Sequence, residues 1–222
     1  MKKELTNFYN TLTNKVDNTF IDNVNIEISF DCGAMISLSD ADFNDNYLVQ
    51  FRDKKTNDII YSSELKNNMW AKSSLRYFID YKITLTNLTN NQIVFEEDIN
   101  LQNKKVYISF ESRSLGDTLA WIPYVEEFRK KHNCKLIVST FLNHLFKNTY
   151  PNIKFVEPGM PVDGIYAKYE LGWFWDKKDR IDLQRNPKDP RLIPLGQTAS
   201  DILGLNYEEI KPKLDIPFEK NR

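Results

Sequence analysis

The sequence predicts an α/β protein in two parts: an N-terminal all-β domain, read as a small sandwich or barrel, followed by half of a doubly wound sheet. Short strands of alternating polarity, separated by polar turns, fill residues 23–102. From residue 103 onward, strand and helix patterns alternate with short connections, which implies parallel pairing and right-handed crossovers. The segment 104–132, KKVYISFESRSLGDTLAWIPYVEEFRKKH, runs from a buried strand through a tight polar loop into an amphipathic helix.

The expected domains are an N-terminal polar segment or short helix over 1–22, a β-rich domain over 23–102 and an α/β domain over 103–222. In the first, Phe8, Leu12 and Val16 share a face if the segment is helical. In the second, Val24, Ile26 and Ile28 alternate with polar residues, as do Ala34, Ile36 and Leu38. Further strands are expected at 47–51, 59–61, 83–85 and 93–95, with turns at 42–46, 54–58 and 87–91. The stretch 69–79 breaks this rhythm and reads either as a loop with aromatic anchors or as a bulged strand.

In the third domain, Val106, Ile108 and Phe110 mark the first strand. Leu119, Ile122, Val125 and Phe128 mark the helix, with Asp117 or Thr118 as its N-cap. Arg129, Lys130, Lys131 and His132 supply positive charge at its C-terminal end. A second strand follows at 134–140, then a short helix carrying Phe141, Leu142, Leu145 and Phe146, with His144 as a structural or exposed side chain. A third strand is expected at 153–156. Residues 161–193 are irregular and aromatic: Trp173 and Trp175 either pin the loop to the core or present stacking faces to a sugar or acceptor. The charges at 176–180 read as a solvated turn. A last helix begins at Gln197 or Thr198 and ends at Gly204, with another turn at 207–210.

Composition narrows the function classes. A chain of 222 residues is ample for one or two domains. The net charge of -1 gives no electrostatic case for nucleic acid or an anionic membrane. No apolar run long enough to span a membrane is present, and the first residues do not read as a secretory signal. Two cysteines, Cys32 and Cys134, indicate neither a disulfide framework nor a structural metal site, and the expectation is a cytoplasmic protein.

The loop 111–118 is the expected site of chemistry. Ligands of open α/β sheets bind outside the carboxyl ends of the strands, and a helix N-terminus there favours anions and polar groups. Asp117 stands at that edge beside Gly116, either as a helix cap, as a base within reach of a substrate hydroxyl, or as both.

The string SLGDTLAWIPYVEEFR at 114–129 resembles the bacterial autotransporter heptosyltransferase family. So does PLGQTASDILGL at 194–205, followed by YEEI at 207–210 and PKL at 212–214. The likeness runs from about the first β-rich segment to the end of the chain. The resemblance implies a GT-B glycosyltransferase, with a β-rich domain ahead of a Rossmann-like, acceptor-side half. It implies transfer of heptose from ADP-heptose to serine hydroxyls of an autotransporter adhesin, with Asp117 as general base. Ser112, Arg113, Ser114, Leu115, Gly116 and Thr118 are then expected at the sugar, with Trp173 and Trp175 as candidate stacking residues. It further implies a homo-oligomer.

Two features depart from the full family pattern. The second Rossmann-like half, which holds the donor in GT-B enzymes, has no counterpart in these residues, and neither does the cysteine cluster that holds iron in full-length members. No cofactor is therefore expected in this chain, and no phosphate-binding glycine motif is present. Two readings follow: a truncated or split transferase half completed by a donor-domain polypeptide, or a non-catalytic binding and assembly module.

Overall fold

The computed structural model describes residues 17–21, 24–42 and 44–215. They divide into two compact units, one of residues up to 101 together with 161–168, the other of 102–160 together with 169 onward. The helix expected on Phe8, Leu12 and Val16 lies outside the described residues, whereas 17–21, counted with that segment, form a strand.

The first unit contains β1 (Asp17–Ile21), β2 (Val24–Asp31), β3 (Met35–Ser39), β4 (Tyr47–Asp53), β5 (Ile59–Leu65), β6 (Trp70–Lys72), β7 (Tyr81–Asn87) and β8 (Gln92–Asp98). All its neighbouring pairs among these strands are antiparallel. β2 lies between β1 and β3, with β6 beyond β3, while β5-β4-β7-β8 form a four-stranded sheet. The alternation seen in sequence sets the register: Val24, Ile26, Ile28 and Phe30 of β2 are buried and the residues between them are not. A one-residue slip would turn that whole row to solvent.

The hairpin ends use left-handed asparagines, Asn57 between β4 and β5 and Asn91 between β7 and β8, as expected of polar turns. Gly33, in the β2–β3 connection, is required twice over. Its φ is +107°, and a Cβ there would lie 2.5 Å from the Leu75 carbonyl oxygen. The unsettled stretch 69–79 resolves into β6 followed by loop. Ser73 donates its N–H to Ala34 O and accepts the buried Tyr81 hydroxyl at 2.8 Å; burial pushes that phenol up to about 12.

The second unit contains β9 (Lys105–Phe110), α1 (Leu115–His132), β10 (Lys135–Ser139), a 3-10 turn at Asn143–Leu145, β11 (Lys154–Val156), most of β12 (Ala167–Leu171) and α2 (Leu195–Ile202). β9, β10 and β11 pair in parallel, as the strand–helix–strand pattern implied. β12 lies next to β9, and its first residues, Ala167 and Lys168, pair in parallel with Phe30 and Asp31 in the first unit. This strand falls inside the stretch read as irregular. Its signal was present, since Ala167-Lys168-Tyr169-Glu170-Leu171 alternates apolar and charged residues.

The short helix expected after β10 does not form. The Asn143 carboxamide accepts from the Thr140 N–H and hydroxyl, both at 3.1 Å, and donates to Val156 O at 2.8 Å. Such local side-chain bonds compete with helical ones, and only a single 3-10 turn remains. His144 on this turn is exposed.

The last helix starts at Leu195, earlier than expected, because Pro194 serves as its N-cap residue. It ends where the glycine signal placed it, with Gly204 at φ +61°. Residues 207–210 form no helical turn. The chain beyond is tied to the second unit by the Lys213 N–H donating to Tyr150 Oη at 3.0 Å and the Asp215 N–H to Leu145 O at 3.0 Å.

α1 buries Trp121, Ile122, Tyr124, Val125 and Phe128. Gly196 allows α2 to approach α1, since a Cβ there would lie 2.9 Å from the Tyr124 ring and hydroxyl. The end of α1 corrects one expectation: His132 is not a charge. Its ring packs on Phe128 at 4.5 Å, and burial, helped by Lys131, lowers its pKa to about 4. The unfolded chain then takes up the proton more readily than the folded one. The stability held above pH ~6.5 is lost as pH falls toward ~4. His132→Gln should flatten that part of a stability–pH curve from denaturant melts; an unchanged slope between these pH values would contradict the assignment.

Candidate functional site

The site is built where β9 ends. The six-residue strand, buried from Val106 to Phe110, delivers the chain to a loop whose residues are exposed or half-buried. The loop turns straight into α1, whose N-cap is Ser114 and not Asp117 or Thr118. The Ser114 Oγ accepts the Asp117 N–H at 3.4 Å. Ser-Leu-Gly-Asp at 114–117 is the sequence pattern of a capping box, a signal that the expectation of Asp117 or Thr118 as N-cap passed over. Asp117 thus sits in the first turn, where the helix dipole favours negative charge.

The carboxylate of Asp117 takes one side-chain hydrogen bond, from the Ser112 hydroxyl to Oδ2 at 2.6 Å. No donor among the described residues reaches Oδ1, and the residue is half-buried. With Ser114 as the N-cap, the reading of Asp117 as the helix cap fails on geometry.

The other predicted site residues separate into two groups. Arg113, Ser114, Leu115 and Gly116 are exposed on the loop and first turn. Arg113 is held with its guanidinium 4.8 Å from the centre of the Phe141 ring, which lies just beyond β10. Thr118 does not belong with them. It is 1% exposed, and its hydroxyl donates to Ser114 O at 2.8 Å, so it secures the turn and is not placed to touch a ligand.

Gly116 needs no special backbone, and a Cβ there would meet only Ser114 Oγ at 3.7 Å. Gly116→Ala should leave the thermal midpoint unchanged or raise stability by up to about 1 kcal/mol. A loss of ligand affinity in that folded variant, measured by titration calorimetry, would mean that the ligand approaches this backbone. Unchanged affinity would remove Gly116 from the site.

Trp173 and Trp175 are 41% and 47% exposed. They do not pin their segment; Phe174 between them does, at 6% exposure, with the Arg185 guanidinium 3.5 Å over its ring. Asn186, almost fully buried, holds the segment from the other side. It accepts the Phe174 N–H at 2.9 Å and donates to Gly172 O at 2.8 Å. Sequence reading missed both roles, because each depends on neighbours 11 or more residues away. The segment starts beside the loop: the Glu111 N–H donates to Leu171 O at 2.8 Å, and a Cβ on Gly172 would lie 3.1 Å from that of Glu111. The run 176–180 is a surface turn closed by the Arg180–Asp176 ion pair.

Among the described residues no group of three or more His, Cys, Asp or Glu side chains is placed to hold a metal ion. Cys32 and Cys134 are buried free thiols, and burial pushes the Cys134 thiol up to about 11. No helix among the described residues is long and apolar enough to cross a membrane.

No protein-family model matches the sequence. The autotransporter heptosyltransferase Aah of Escherichia coli is 31% identical over 194 residues, which cover 86% of this chain and 47% of that protein. The inactive autotransporter heptosyltransferase BimC of Burkholderia thailandensis is 27% identical over 86% of this chain and 44% of its own length. Among solved structures, the iron-containing dodecameric glycosyltransferase TibC from enterotoxigenic E. coli superposes with a TM-score of 0.81 at 27% identity, covering 95% of this chain and 54% of TibC. TibC has also been solved in complex with ADP-D-beta-D-heptose, and that structure superposes with a TM-score of 0.79. The chain spans about half the length of the curated relatives it matches. By sequence and by fold, then, this chain is a homologue of the autotransporter heptosyltransferases over that half.

Proposed function

We propose that the chain is the acceptor-side, base-bearing part of a protein O-heptosyltransferase, working in the cytoplasm on an autotransporter adhesin with ADP-heptose as donor. The observation that carries this reading is the Asp117 carboxylate beyond the end of β9, fixed through Oδ2 and, among the described residues, without a donor at Oδ1. In the proposed reaction Oδ1 takes the proton of an acceptor serine hydroxyl while its oxygen attacks the anomeric carbon. The bond to the ADP oxygen breaks with its electron pair, and the anomeric centre inverts. The proton transfer develops with sugar bond cleavage. Arg113, Ser114, Leu115 and Gly116 offer polar and backbone contacts to the sugar. Trp173 and Trp175 offer stacking faces for sugar or acceptor.

The donor-binding half belongs, in this reading, to the remainder of a longer chain or to a separate polypeptide, and the working protein is an oligomer. Support comes from the half-length match to the heptosyltransferases and from TibC being dodecameric and solved with ADP-heptose. A second reading, a non-catalytic binding or assembly module, is favoured by one observation, the similarity to a relative named inactive.

Mass spectrometry of an adhesin peptide separates the two. The peptide is incubated with ADP-heptose and the chain, with and without the donor-binding polypeptide. A heptosyl residue on serine supports the transferase. No transfer in either mixture, with the chain folded, leaves the binding module.

A further inference from the structure

Ser112 was expected at the sugar, but its hydroxyl has other work. In a closed capping box the acid at the third helical position reaches back to the N-cap N–H. Here that donor is the Ser114 N–H, and it goes to Ser112 Oγ at 3.1 Å. The Ser112 proton then goes on to Asp117 Oδ2 at 2.6 Å. The other half of the box, Asp117 N–H to Ser114 Oγ, is intact. A serine hydroxyl is therefore inserted between the carboxylate and the backbone donor that it would otherwise cap.

A hydroxyl has one proton to give and two lone pairs. That of Ser112 has its proton committed to Asp117 and one lone pair committed to Ser114, so it cannot donate to a sugar oxygen while the relay stands. The relay satisfies the N-cap N–H without using the carboxylate directly. It also binds one named carboxylate oxygen and leaves the other.

We propose that Ser112 is a positioning residue that holds the capping box open, keeping Asp117 turned outward with Oδ1 as its reactive oxygen. The proposal rests on Asp117 being the base, yet its structural half can be read without any activity.

The test is Ser112→Ala in the 222-residue chain, with Ser112→Thr as the variant that keeps a hydroxyl. In Ser112→Ala the carboxylate swings back onto the Ser114 N–H and closes the box. NMR reads this as altered Hα–Hβ couplings of Asp117, together with a Ser114 amide that stays protected from solvent exchange. Ser112→Thr keeps the wild-type couplings. Wild-type Asp117 couplings in Ser112→Ala overturn the proposal. In the transfer assay Ser112→Ala lowers kcat by roughly ten- to a hundredfold with the donor KM within about twofold, as expected for a displaced catalytic group. A raised donor KM with kcat unchanged would instead make Ser112 a sugar contact and overturn the proposal. If the couplings shift but Asp117→Asn transfers heptose normally, the positioning stands and the base assignment falls.

Discussion

Replacing Asp117 by Asn should lower heptosyl transfer by about 10²–10⁴-fold, the usual contribution of a positioned general base. The fold should survive, because the amide oxygen of Asn can still accept the Ser112 hydroxyl that Asp117 Oδ2 accepts at 2.6 Å. The helix cap should survive too, since it is formed by Ser114 Oγ and the backbone N–H of residue 117. Asn cannot take a proton from an attacking hydroxyl, so the loss should fall on kcat with donor affinity kept. Initial rates beside a thermal melt check this. An unchanged rate in a folded variant would move the base elsewhere, and a large drop in the midpoint would show that the carboxylate is structural.

The largest effect on stability is expected at Trp121. Its ring is 1% exposed, packs edge-on against Phe110 with centroids 5.8 Å apart, and donates Nε1–H to Leu195 O at 3.0 Å. One side chain thus ties the end of β9, α1 and the first residue of α2. Trp121→Ala leaves a cavity and removes the hydrogen bond to Leu195 O, and costs about 3–5 kcal/mol. For a chain of this size that corresponds to a fall in the thermal midpoint of roughly 10 °C. Trp121→Phe refills much of the volume but restores no donor, so its midpoint should fall between the two. If Trp121→Ala melts within a degree or so of the wild type, the α1–α2 packing described above is wrong.

Much of this was legible in the chain. The alternation Val24-Ile26-Ile28-Phe30 fixed a half-buried strand, because side-chain direction in a strand depends only on the parity of position. The run 106–110 fixed β9, and the period of Leu119, Ile122, Val125 and Phe128 fixed α1. Asp117 was singled out as a candidate from its place between strand and helix, and the motifs around it pointed to the heptosyltransferases, to which 86% of the chain aligns in Aah.

Other features were decided only by tertiary contact. The helix expected on Phe141 to Phe146 yielded to one buried carboxamide, Asn143, bonded to Val156 O 13 residues away. β12 existed as a local alternation but became a strand through neighbours that no short window contains. Trp173 and Trp175 read either as anchors or as stacking faces, and Phe174 took the anchoring place because the Arg185 guanidinium and the buried Asn186 carboxamide close around it. His132 looked like a charge and became a neutral ring through burial against Phe128. The sequence by itself determined the periodicity of strands and helix and the family resemblance. Which side chains lose their water, and hence which hydroxyl, amide or ring is spent on structure, depends on distant neighbours, and the tertiary structure alone decided that.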